Sequence, residues 1–186
     1  VIRASLSFVY NNSTHQIDDE SLKYAFNVPE VMRLMYQASN DREILKPKLS
    51  CGPRAYAMQA ILSWFNIRSR LVQIYSDNYG RHAAHRLLEV YNPDRSKWEL
   101  WDPDYGVTYI DNETGLPTDI ITIIFSKKSG FTPVGELGSG WEATKTERLR
   151  DNYFEAVLFE QDQSTINSIV IVNGEIFDPS KLYDAG

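Results

Sequence analysis

At Asn66 the spacing of apolar residues changes from three-and-four to two, and this change constrains the fold more than any other feature of the 186-residue chain. Upstream, "SCGPRAYAMQAILSWF" carries Ala55, Met58, Leu62 and Phe65 on one helical face and Ala57, Ile61 and Trp64 on a second. A helix over 50–66 is therefore expected to be enclosed by protein on most sides. Ser50 is placed to cap it, and Pro53 falls in the first turn, where backbone N–H groups have no partner inside the helix. Downstream, "SRLVQIYS", "HRLLEVY", "KWELWD", "GVTYI" and "DIITIIF" read as short strands, separated by the turn formers "DNYG", "NPDR", "PDYG" and "NETGLP". A buried helix followed by a strand meander predicts the α+β class, with helices segregated from an antiparallel sheet.

The flanks carry weaker signals. "RASLSFVY" alternates and predicts an edge strand before the polar loop "NNSTHQ". Within 18–40, "DDESLKYAF" and "PEVMRLMYQAS" predict two short helices, the second opening on Pro29 with Val31, Leu34, Met35 and Ala38 on one face. After the glycine-rich "SGFTPVGELGSG", the segment "WEATKTERLRDNYFEAVLFEQ" reads as a helix and "SIVIVNGEIF" as a last strand. The expected organisation is a single domain over 1–186, with its core at 45–126, a helical N-terminal part at 18–40 and a C-terminal helix and strand at 141–178.

Charge and composition exclude some functions. A net charge of -6 argues against nucleic acid or an anionic membrane surface as a partner, because both need a basic footprint. No apolar run reaches the length of a bilayer span. With 1 cysteine, no disulfide can form within the chain.

That cysteine, Cys51, lies at the start of the enclosed helix. A helix N-terminus presents unpaired N–H groups and the positive end of the dipole, which favours a thiolate. A nucleophile also needs a base within reach and a third group to orient the base. Of His15, His82 and His85, the first lies in a polar loop and is read as solvated. If "HRLLEVY" and "KWELWD" form a hairpin around the turn Asn92 to Arg95, Tyr91 faces Ser96 and His85 falls directly opposite Asp102. His82, an odd number of residues away, would point to the other face and is read as a rim residue. Asp104 is the alternative orienter if the hairpin is shifted. Trp98 and Trp101 alternate along the same strand, so that one can wall a cleft while the other packs inside.

Taken in order, these residues resemble the transglutaminase-like superfamily, over residues 51 to 106. Cys51 opens the central helix in "SCGPRAYAMQAIL"; "NIRSRLV" follows with Arg70, then "HRLLEV" with His85 and Glu89, then "WELWDPDYG" with Trp98, Asp102 and Pro103. The resemblance implies a papain-like core and a Cys51, His85, Asp102 triad. Gly52 stands where the animal transglutaminases carry an aromatic residue, so calcium-dependent crosslinking is not implied.

The expected chemistry is thiol acyl transfer on a peptide, protein or amide substrate, most simply hydrolytic as in a cysteine peptidase or amidase, with no cofactor and no metal. Backbone N–H groups of Cys51 and Gly52 would stabilise the oxyanion, and Gly52, His82, Trp98 and Trp101 are the candidate substrate-binding residues. Protein-glutamine transamidation and a catalytically silent binding module are the alternatives. A weaker one is a metal site formed by Cys51, His82 and His85.

Overall fold

The computed structural model describes residues 1–17, 23–24, 26–76, 83–125 and 130–135, together with the strands at 156–160, 170–172 and 175–177. The elements run α1 (Ile2–Asn11), β1 (Thr14–His15), α2 (Val28–Asn40), β2 (Lys48–Leu49), α3 (Cys51–Trp64), β3 (Ser69–Ser76), β4 (Ala83–Asn92), β5 (Lys97–Asp102), β6 (Val107–Asp111), α4 (Ile120–Phe125), β7 (Phe131–Gly135), β8 (Ala156–Glu160), β9 (Val170–Val172) and β10 (Glu175–Phe177). β3 to β10 form one antiparallel sheet in the order β10-β9-β8-β3-β4-β5-β6-β7. The fold is α+β. No described helix is long and apolar enough to cross a membrane.

Two apolar clusters lie on the sheet, and strand parity sorts residues between them. On one face Leu71, Leu88, Val90 and Trp101 pack with Ala55, Met58 and Leu62 of α3, Leu6 and Val9 of α1, and Val31 and Met35 of α2. Val72, Ile74, Leu87, Leu100, Val107 and Tyr109 supply the second cluster, with Ile120 and Ile123 of α4. α3 is enclosed over its first turns, whereas Trp64 and Phe65, expected on its buried faces, are exposed at 71% and 57%. The helix ends there because Asn66 takes φ 53, a left-handed conformation that asparagine tolerates.

Several sequence expectations are corrected. Residues 2–11 form a helix rather than an edge strand. Leu6 and Val9 are spaced for one helical face, and that three-residue spacing prevails over the alternation of Ala4, Leu6, Phe8 and Tyr10. "DIITIIF" contains α4, despite its β-branched residues. Asp119 accepts from the N–H and hydroxyl of Thr122, and the buried Glu89 accepts the Ile120 N–H at 2.8 Å, so local capping and tertiary contact override β-propensity. β7 lies within the expected glycine-rich break, β8 within the expected late helix, and the expected last strand is a β9–β10 hairpin. Most of the first expected helix, 18–26, lies outside the described residues, as does 141–155.

The β4–β5 hairpin pairs Asn92 with Lys97, so its turn is Pro93–Ser96, shifted from the expected register. Asn92 remains in the strand because its side chain accepts from the Asp94 and Arg95 N–H groups, closing the turn from the strand end. The displacement amounts to two residues, an even step, so no side chain changes face.

Candidate active site

β1 and β2 fix where α3 begins. They pair in parallel through Thr14–Lys48 and His15–Leu49, and Leu49 is fully buried. The chain preceding Ser50 is therefore anchored by its pairing with β1 and by the buried Leu49 side chain. Ser50 takes the extended conformation of an N-cap, although its side chain makes no capping bond. Pro53 has no N–H and Arg54 N donates to Ser50 O at 3.4 Å. Cys51 and Gly52 thus contribute the first-turn N–H groups nearest the thiol, which is itself partly exposed.

His85 and Asp102 share parity with Leu87 and Leu100, and both side chains leave the sheet on the second-cluster face. His85 Nε2 lies 2.8 Å from Asp102 Oδ2, both groups being buried. The ladder register would have set His85 opposite Asp104, but β4–β5 pairing stops at Leu88–Trp101, and Asp102 pairs with Val107 of β6. Beyond that point the two strands part, and the long imidazole meets Asp102 along the diagonal.

Asp102 is held from several directions. Its Oδ1 accepts the N–H groups of Asp104 and Tyr105 at 2.9 and 3.0 Å, and its Oδ2 also accepts the Tyr109 hydroxyl at 3.2 Å. Burial alone would push the His85 imidazole down, but the charge and hydrogen bond of Asp102, with a hydrogen bond and charge from Cys51, hold it well above its ordinary value. Burial and the Asp102 charge push the Tyr109 phenol well up, so it stays a neutral donor. The Tyr105 ring stands 5.0 Å from the His85 ring.

Asp104 does not replace Asp102. It accepts from Arg54 Nη1 at 3.0 Å and lies 2.9 Å from His15 Nδ1. His15, expected in a solvated loop, has this carboxylate as its partner while its side chain is 46% exposed.

The structure separates the expected substrate-binding residues. Gly52 is at the second position of α3, where an added Cβ would come 3.8 Å from Arg86 Nη1 and 4.0 Å from Tyr56. Arg86 donates to the Tyr56 hydroxyl and to Gln73. Trp101 packs in the first cluster. Trp98 lies toward the other end of β5, with Arg70 and Arg68 over its ring at 4.3 and 5.2 Å and Tyr91 at its edge. Trp101 thus takes the inside position expected for one of the two indoles. Arg70 also binds Glu89, its neighbour across the ladder, with Nε–Oε2 at 2.7 Å. His82 lies outside the described residues, and among those described no group of three or more His, Cys, Asp or Glu is placed to hold a metal ion.

Tyr109, Arg54 and the pairing of His15 with Asp104 were missed from the sequence. The available signal for Arg54 was a charge among residues otherwise apolar on the enclosed helix. Tyr109 lies opposite Pro133 of β7, and its hydroxyl reaches Asp102 along the sheet face, a relation that no linear spacing encodes.

Compared with protein-family models, with curated proteins and with solved structures, the chain matches none.

Proposed function

We propose that this chain is a thiol acyl-transfer enzyme with a papain-like core, acting on a peptide or carboxamide carbonyl and passing the acyl group to water. The observation that carries this reading is the buried 2.8 Å contact between His85 Nε2 and Asp102 Oδ2, with the partly exposed Cys51 acting on the same imidazole. The order of Cys51, Arg70, His85, Glu89, Trp98, Asp102 and Pro103, which resembles the transglutaminase-like superfamily, supports it independently.

With Nε2 committed to Asp102, Nδ1 is the nitrogen available to the thiol. The thiolate of Cys51 attacks the carbonyl carbon, and the oxyanion forms beside the N–H groups of Cys51 and Gly52. As the C–N bond breaks, the His85 imidazolium gives its proton to the departing amine, leaving a thioester on Cys51. Water then loses a proton to His85 and attacks the thioester; the acid departs and the proton returns to sulfur. An amine in place of water would give transamidation by the same steps.

The test is trapping of the acyl-enzyme. After incubation with an activated acyl ester, peptide mapping by mass spectrometry should find the acyl group on Cys51, with slow turnover in His85→Ala and no adduct in Cys51→Ala. Equal acylation of wild type and His85→Ala would remove the base from the scheme. Added amine then distinguishes acyl transfer to water from transfer to nitrogen.

A further inference from the structure

Arg54 lies one turn beyond Cys51 on the same helix and is buried. Its Nη1 donates both to the Asp104 backbone carbonyl at 2.8 Å and to Asp104 Oδ1 at 3.0 Å. The Asp104 N–H donates in turn to Asp102 Oδ1 at 2.9 Å. A chain of short contacts therefore runs from the nucleophile's helix, through Asp104, to the carboxylate that orients His85. β1 closes this chain from outside, with His15 Nδ1 2.9 Å from the same Asp104 oxygen.

From this geometry we infer that Arg54 and Asp104 are positioning residues, a buried ion pair that sets Cys51 against His85 and Asp102 and biases His85 toward its charged form. The inference rests on the thiol acyl-transfer reading above. A structural ion pair of equal stability could stand anywhere between α3 and the sheet, whereas this one ends on the loop that presents Asp102. Burying a charge is costly unless its partner is well placed, and here both partners are almost fully enclosed, at 2% and 1% exposure.

Among the described residues, charged and titratable groups face the pair from several elements. They are His15 from β1, Tyr10 of α1 with its ring 6.0 Å from the Arg54 guanidinium, His85 from β4, Asp102 at the end of β5 and Tyr109 of β6; Cys51 and Tyr105 act on His85 itself. Although burial pushes the Asp104 carboxyl up, His15, the His85 charge and Arg54 together hold it below the ordinary carboxylate value, so it is an anion near His85.

The experiment is titration of the His85 ring by NMR in wild type, Asp104→Asn and the charge-neutral double variant Arg54→Gln/Asp104→Asn. Resonances are assigned by substituting His15 and His82 in turn. Asp104→Asn removes the anion that favours the imidazolium and leaves the Arg54 charge, which opposes it, in place. The His85 midpoint should fall by about one pH unit. The double variant retains neither charge and should show a smaller fall in the same direction; it remains decisive if Asp104→Asn alone does not fold. A fall in melting temperature with an unmoved His85 midpoint, in either folded variant, would overturn the inference. The two readings fail separately: a wild-type His85 that titrates near or below the free imidazole value removes the active-site reading itself, whereas a raised wild-type midpoint that ignores Asp104 removes only this one.

Discussion

Replacing Asp102 with asparagine changes little volume and one charge, and the structure specifies what should follow. Asp102 is fully buried, and its Oδ2 lies 2.8 Å from His85 Nε2 and accepts the Tyr109 hydroxyl at 3.2 Å, while Oδ1 accepts two backbone N–H groups. An asparagine can keep Oδ1 on the backbone donors, but it then presents N–H groups where His85 and Tyr109 now donate. His85 would be driven to the tautomer with its proton on Nδ1, facing the thiol, and could no longer accept from it. A hydrogen bond to a charged group contributes about 1.5–3 kcal/mol, which corresponds to about one to two units in the imidazolium titration. At mildly acidic pH the reactive thiolate should therefore fall by about 10- to 100-fold. Iodoacetamide alkylation of Cys51, followed by mass spectrometry across the acid-to-neutral range, reads this directly. Melting temperature, followed in parallel, checks that the variant is folded. A folded Asp102→Asn whose rate profile overlays that of wild type would refute the role given to Asp102.

Two further outcomes follow from the same geometry. The folded state raises the pKa of His85 above the ordinary 6.5, so it binds that proton more tightly than the unfolded chain does. The resulting stability is fully present below the unfolded value and is lost as pH rises through the folded one. Wild-type melting temperature should decline with pH above the ordinary imidazole range, by more than in His85→Gln; equal slopes would contradict the shift. Gly106 takes φ +70, and a Cβ there would come 2.8 Å from Tyr10 Cγ, while its N–H donates to Asp102 O at 2.8 Å. Gly106→Ala should therefore cost about 1–3 kcal/mol in urea unfolding and also slow Cys51 alkylation; a loss under about 0.5 kcal/mol would show that the turn adapts.

The sequence was most legible where periodicity and burial agree. α3 begins at Cys51 and buries Ala55, Ala57, Met58, Ile61 and Leu62 because those positions cover most of its circumference. β3 to β6 fall where the period-two segments were expected, although residues of both parities are buried because each sheet face carries an apolar cluster. The hairpin shift left His85 and Asp102 on a common face because it was an even one, and their contact then came from strand divergence rather than from direct opposition. Illegible features depended on tertiary contact. α4 turns helical around Asp119 and Glu89 despite its β-branched composition. His15 reaches Asp104, 89 residues away, only because β1 pairs with β2 immediately before Cys51 and the helix it opens. Strand parity puts Trp98 and Trp101 on opposite faces, but composition does not reveal that one face holds two arginines and the other the first core.

The most direct measurement is the pH dependence of Cys51 alkylation in wild type and in His85→Ala. A thiol activated by the His85 imidazole predicts that wild type is alkylated faster than His85→Ala across the acid-to-neutral range, with the difference following the titration of His85. Alkylation that is unchanged by His85→Ala would contradict the pair and with it the proposed enzyme.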